Sequence, residues 1–296
     1  MRFMDMILLL LTVKIHFIPT SHAQTTEYRV GVWYPTTKDG VLSMYKPLFQ
    51  DYLNRMVDSK LNVKFKVVVV DLEESTLVET LIQANQLDFL FSNVGRIACV
   101  ERGFEWIVIA TARNRVLGKE VGSQGTVIYS LKSNTEIKSI ADFKGKKIGL
   151  AHIHTPPFWM DIQVLSNLGI DIYRDPSQIV FYGNGYADQL NDVLKEKIDV
   201  GFTGGFFLMQ KFPDQIPNLL IHNVANETWE TEQYPFSTSS PLTPTFSLAC
   251  SSAIPFAVKM AVARVLMDLN PASAEAKAAS LSNFTPAASL FDTRAA

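Results

Sequence analysis

The chain has 296 residues and a formal net charge of −2 at pH 7, with no sustained basic stripe, so nucleic acid is excluded as a partner. Its two cysteines, Cys99 and Cys250, are too few for a cysteine-rich zinc site or a disulfide scaffold. They either form one bridge after export or stand as buried free thiols. The length calls for one large domain or two lobes.

The chain opens with Arg2, an apolar run from Met6 to Ile18 interrupted by Lys14, and the small residues Ser21 and Ala23. This reads as a cleavable signal peptide over residues 1–23 and implies a periplasmic or secreted protein. The apolar run is too short for a membrane span, which needs about 20 residues. A strand at Tyr28–Val32 then precedes an amphipathic stretch with apolar Val41, Tyr45, Leu48, Tyr52 and Met56. Val63–Val70 and Leu87–Phe91 read as further strands, with a helix face of Leu77, Leu81 and Ile82 between them. This βα order predicts a mostly parallel sheet covered by helices.

The same grammar restarts after Thr126–Tyr129. Strands are expected at Lys147–Ala151, Ile179–Tyr182 and Val200–Phe202, and helices at Phe158–Leu168 and Tyr186–Lys195. The units echo each other: Asn85–Phe89 and Glu196–Val200 each end a helix and lead into a polar loop, Ser92–Gly95 in one and Thr203–Gly205 in the other. Asp88 and Asp199, at the strand starts, read as turn-forming residues. The segment Asn226–Pro244, rich in Thr, Ser, Pro and Glu, reads as a long connection. Thr245–Cys250 is strand-like, and the helices from Pro255 to Ala279 return to the first lobe. The expected partition is α/β throughout: lobe 1 from 24–125, lobe 2 from 126–224, and a return to lobe 1 over 225–296.

In open α/β sheets ligands bind beyond the carboxyl ends of strands, and the candidates follow from that placement. Trp33 and Tyr34 follow the first strand and serve as cleft wall or core. Ser92 and Asn93 offer short polar groups beside a helix start, for an anion or for capping. Arg113 is a forked cation for an anionic ligand, with a surface ion pair as its other reading. Thr126 and Thr203 stand at strand ends. His154, Thr155 and Phe158 flank a proline pair at a helix start. Asn184 lies in a Gly-Asn-Gly turn ahead of Tyr186. His152 and His154 lack the further ligands a metal requires, and no cofactor is expected. There is no Gly-x-Ser-x-Gly elbow, phosphate loop or His-Glu-x-x-His, so the chain is read as non-enzymatic.

Several elements together resemble the periplasmic phosphonate-binding proteins and the related sensor domains of tetrathionate-type histidine kinases. They are Tyr45-Lys46-Pro47-Leu48, Leu87-Asp88-Phe89 with Ser92-Asn93-Val94-Gly95, Ala110–Arg115, Gly125–Ile128, Ile140–Lys147, Phe181-Tyr182-Gly183 and Asp199-Val200-Gly201. The Arg-Asn-Arg and Ser-Asn-x-Gly elements look like the sensor branch. The resemblance implies a type II periplasmic-binding fold, two α/β lobes joined by crossing strands near Thr126 and Ile221–Val224. It further implies a monomer that captures a small anionic solute in an interlobe cleft, for an ABC-type transporter permease or a sensor kinase. The alternative it offers is the extracellular sensing domain of a histidine kinase or cyclase lacking its downstream part, since the chain stops at Phe291–Ala296 where relatives run on. Phosphonate binders carry a Ser/Thr-rich turn where this chain has His152–Phe158, and a His where it has Tyr186. Those departures argue against phosphonate itself as the ligand.

Overall fold

The computed structural model describes residues 25–34, 37–70, 77–153, 155–183, 185–222, 234 and 236–287. The expected signal peptide, residues 1–23, lies outside them. Strand β1 (Thr26–Val32) leads to helix α1 (Lys38–Lys46), whose Thr37 cap accepts the Gly40 amide at 3.1 Å. The helix continues through a π-helical stretch, Pro47–Tyr52, into α2 (Leu53–Met56). Pro47 has no N–H for the α-helical ladder, and the wider turn moves the buried face on by one residue. Val41, Tyr45, Leu48 and Tyr52 are buried at the expected spacing, but Leu53 follows them into the core and Met56 is 50% exposed. Next come β2 (Val63–Val69), α3 (Leu77–Gln83), β3 (Phe89–Ser92), α4 (Val94–Phe104), β4 (Ile107–Val116) and β5 (Lys119–Val121).

The short β6 (Ser123–Gln124) leads into β7 (Thr126–Leu131). A capping box, in which Asp142 accepts the Ser139 amide at 2.9 Å, opens a 3-10 turn, Ile140–Phe143. Gly145 then takes φ +76°, a left-handed bend that a side chain resists, and delivers the chain to β8 (Lys147–Ala151). The order continues α5 (Pro156–Asn167), β9 (Gln178–Gly183), α6 (Tyr186–Leu194), β10 (Val200–Gly204), α7 (Gly205–Lys211) and β11 (Leu219–Ile221). It ends with β12 (Thr243–Pro244), β13 (Ser247–Cys250), α8 (Phe256–Met267), α9 (Ala274–Ala278) and β14 (Leu281–Thr285).

Two principal sheets result. The first runs β14–β4–β13–β3–β1–β2, with β5 also on β4, and the second runs β11–β7–β10–β8–β9. In the first, β1 is parallel to both β2 and β3, and the late strands β13 and β14 lie antiparallel on either side of β4. In the second, alternate residues of β7 face opposite cores: Ile128 packs with Phe158, Val164 and Phe202, and Val127 and Tyr129 with Leu190, Val193 and Leu208. The echo between the units has a physical basis. Asp88 accepts the Arg29 amide at 2.8 Å and Asp199 accepts the Lys147 amide at 2.7 Å, so each ties its own strand start to the adjacent strand of its sheet. Cys99 and Cys250 are both free, one exposed and one buried.

The units are joined where β6 pairs with β12, a two-stranded ribbon apart from both sheets. Sequence placed the second crossing near Ile221–Val224. Ile221 instead belongs to β11, paired with Tyr129 inside the second sheet, and Val224 lies outside the described residues. The segment that runs alongside the first crossing is Thr238–Thr245. Its hydroxyls act as backbone partners: Ser240 Oγ accepts the Thr126 amide at 2.9 Å, Ser239 Oγ accepts the Ile128 amide at 2.9 Å, and Thr238 Oγ1 donates to the Thr126 carbonyl at 2.9 Å. Gly125 makes this approach possible, since a Cβ there would lie 2.0 Å from Thr238 Oγ1. Gly125→Ala should therefore lower stability in denaturant unfolding by about 1–3 kcal/mol. Gly103→Ala, on open space in α4, should be neutral or stabilise by about 0.5 kcal/mol.

Candidate functional site

The carboxyl ends of β3, β8, β9 and β10 carry most of the candidate residues. On the first unit, Ser92 ends β3 fully buried, and its Oγ has no partner among the described residues. Asn93 caps α4, its Oδ1 accepting the Arg96 amide at 3.1 Å. The Ile97 amide goes to the Asn93 carbonyl, so the amides that α4 offers outward are those of Val94 and Gly95. Trp33 lies in the first core, and the half-buried Tyr34 packs against it. Trp33 is 1% exposed, and the Tyr34 ring packs 5.3 Å from Tyr45 and 5.1 Å from Phe246. The apolar residues that follow β1 simply extend its buried end.

On the second unit, Thr126 begins β7, Thr155 caps α5, Tyr186 begins α6 and Thr203 lies in β10. All four are buried. Thr155 Oγ1 donates to the His152 carbonyl at 2.6 Å. Burial pushes the Tyr186 phenol up to about 12. Thr203 Oγ1 has no partner among the described residues. Phe158 lies within the second core, against Ile128 and Leu165. His154 and Asn184 lie outside the described residues. Helix α5 offers few backbone donors: Pro156 and Pro157 have no N–H, and the Phe158 amide is bound to the Thr155 carbonyl at 3.0 Å.

Arg113 takes the surface ion pair that was its other reading. Its guanidinium lies 3.7 Å from Glu120 on the β4–β5 hairpin, with both side chains more than a third exposed. Sequence reasoning missed a buried cation on the helix that packs against the other unit. Arg96, on α4, is 2% exposed and holds both Glu79 carboxylate oxygens at 3.2 Å. Helix α4 packs against α5 of the other unit. Burial first, and then Arg96, holds the His152 imidazole below its usual value, an electrostatic contact between the units.

Asp161 was missed as well. It is fully buried on α5; its Oδ1 accepts the Thr126 hydroxyl, and its Oδ2 has no partner among the described residues. Burial holds this carboxyl well above the usual carboxylate range, against the lowering effect of the Thr126 bond. Protonating an ordinary aspartate at pH 7 costs about 4 kcal/mol, less than burying its charge without a cation, so the neutral acid is the stable form. A signal was available in the sequence: Phe158, Asp161 and Leu165 share one helix face at i, i+3, i+7, and a carboxylate on an apolar face is out of place.

Over residues 32–292 the chain matches the model of a family described as ABC transporter, phosphonate, periplasmic substrate-binding protein. Among solved structures, a Xanthomonas citri protein bound to ATP superposes with a TM-score of 0.71 at 14% identity, covering 91% of this chain and 96% of that one. A Prochlorococcus marinus protein in complex with methylphosphonate gives 0.64 at 14% identity, with 89% and 93% covered. A binding protein component of an ABC phosphonate transporter from Pseudomonas aeruginosa gives 0.61 at 13% identity, with 89% and 82% covered. Identities this low carry the fold alone, the two-lobed type II periplasmic-binding architecture. A search of the curated proteins finds no match.

Arg96→Met removes a positive neighbour of His152, so the His152 pKa should rise, read by NMR titration of the histidine ring. Glu79→Gln, which takes the carboxylate from a buried guanidinium, should cost about 2 kcal/mol in denaturant unfolding.

Proposed function

The chain belongs to the periplasmic substrate-binding proteins of phosphonate ABC transporters, non-enzymatic proteins that work with membrane permeases, and we propose that it captures a small anionic solute between its two α/β units as a monomer. The lobe boundaries proposed with it are 24–125 and 225–296 around 126–224; the separate sheets of β1–β5, β13 and β14 and of β7–β11 support them.

The observation that carries this reading is a pair of buried hydroxyls, Ser92 Oγ and Thr203 Oγ1, each without a partner among the described residues. They lie on β3 and β10, at carboxyl strand ends of different units, in echoing loops. A buried polar group left unpaired is costly, and a polar ligand between the units repays that cost. The outward amides of Val94 and Gly95 add the positive end of the α4 dipole, which favours an anion. Arg113, on the β4–β5 hairpin, is dispensable in this reading, because Glu120 already accompanies it.

Thermal-shift screening of oxyanions should find a stabilising ligand, since binding to the folded state alone raises stability. Ser92→Ala and Thr203→Ala should each weaken that ligand roughly tenfold in calorimetric titration. Neither should lower the apo melting temperature, because each removes a hydroxyl that has no partner to lose. Unchanged affinity in both variants would overturn the placement of the site.

A further inference from the structure

Asp161 presents a problem that the fold by itself leaves unsolved. Its carboxyl is fully buried, yet one of the two oxygens has no partner among the described residues. The Thr126 hydroxyl donates to Oδ1, which makes Oδ1 the acceptor of the neutral acid and leaves the proton on Oδ2. The residue stands at the carboxyl edge of the second sheet: Thr126 begins β7, and the Tyr186 phenol at the start of α6 feels the Asp161 carboxyl electrostatically. Met160, its neighbour on α5, takes the Thr243 hydroxyl of the crossing ribbon at 3.7 Å.

The elements packed against α5 are β7, β8, β10 and α4. Their titratable groups are Tyr129 on β7, Lys147 on β8, and Arg96, Cys99, Glu101 and Arg102 on α4. None of these sets the acidity of Asp161, which follows from burial and the Thr126 bond. An anion reaching α5 finds few backbone donors there, because Pro156 and Pro157 have none and the Phe158 amide is taken. Side chains must supply them.

We infer that Asp161 reads the ligand on the second unit by donating a hydrogen bond from its protonated Oδ2 to an oxygen of the captured anion. This rests on the anion reading above and deepens it: the ligand is an oxyanion whose oxygen accepts from a carboxylic acid, bound beside the Thr126 and Thr203 hydroxyls. No bond to carbon forms or breaks, and the proton stays with Asp161 as donor.

The test uses the full mature chain, with methylphosphonate, inorganic phosphate, sulfate and acetate as probes. Infrared difference spectra of wild type against Asp161→Asn at neutral pH should show the carbonyl band of a protonated carboxyl, shifted by any probe that binds. In titration, Asp161→Asn, whose amide still donates, should hold the probe within about threefold of wild type, and Asp161→Leu, which has no donor, should lose about tenfold or more. A wild type lacking the band overturns the inference, as does a band that a bound probe leaves unmoved or an affinity that Asp161→Leu leaves unchanged. A band that vanishes on binding an amine-bearing probe such as glycine also overturns it, showing a carboxylate that pairs with a cation. A wild type that binds none of these oxyanions removes the anion reading and this inference together, whereas oxyanion binding unaffected by Asp161→Leu removes this inference alone.

Discussion

Thr126 is the residue on which the two halves of the molecule hang. Its amide is held by Ser240 Oγ, its carbonyl by the Ser239 amide and Thr238 Oγ1, and its hydroxyl by Asp161. Every polar atom it owns is thus committed, two through the return segment and one through α5. Backbone groups buried at a crossing find no ladder partner and must be satisfied some other way. Here the Thr-Ser-Ser run at 238–240 supplies the partners, and Gly125 admits it by carrying no side chain. One threonine thereby fixes where the second sheet begins and which way Asp161 faces.

The same arrangement separates stability from binding. The large apolar clusters lie behind the sheets, in the first unit around Trp33, Tyr45, Phe49 and Phe91 and in the second on both faces of β7. They need no ligand. The unpartnered hydroxyls of Ser92 and Thr203 lie at strand ends, where the apolar runs stop. Groups of this kind subtract from apo stability, and in the proposed reading a ligand at the strand ends would return that loss.

Much of the architecture was legible because it rests on local patterns. The βα alternation and the paired Asp88 and Asp199 are both short-range devices. Two things were not legible for the same reason. The π-helical stretch after Pro47 turned Met56 outward and Leu53 inward, an outcome that apolar spacing cannot anticipate. The resemblance placed the crossing near Ile221–Val224; the segment alongside the first crossing, 238–245, looked like a connection because its residues are polar. Its hydroxyls were read as loop composition when their role is to bond a distant backbone. In the proposed site, polar residues beside strand ends were found readily, and Asp161 and Arg96 were passed over. Both lie inside helices on faces that periodicity assigns to the core.

Charge and hydrogen bonding make different demands on a closed cleft, and the described residues favour the second. Each arginine near the units' meeting edges has a carboxylate: Arg96 has Glu79, and Arg113 has Glu120. In the proposed site what remains without a partner among the described residues is a set of buried neutral groups, the Ser92 and Thr203 hydroxyls and Asp161 Oδ2. Neutral donors impose direction, because each must meet a lone pair, whereas a bare cation accepts any anion within reach. Desolvating a neutral donor also costs less than desolvating an ion. A cleft built as proposed would select by the arrangement of oxygens on the solute rather than by its net charge, and would release that solute when the units part without breaking an ion pair.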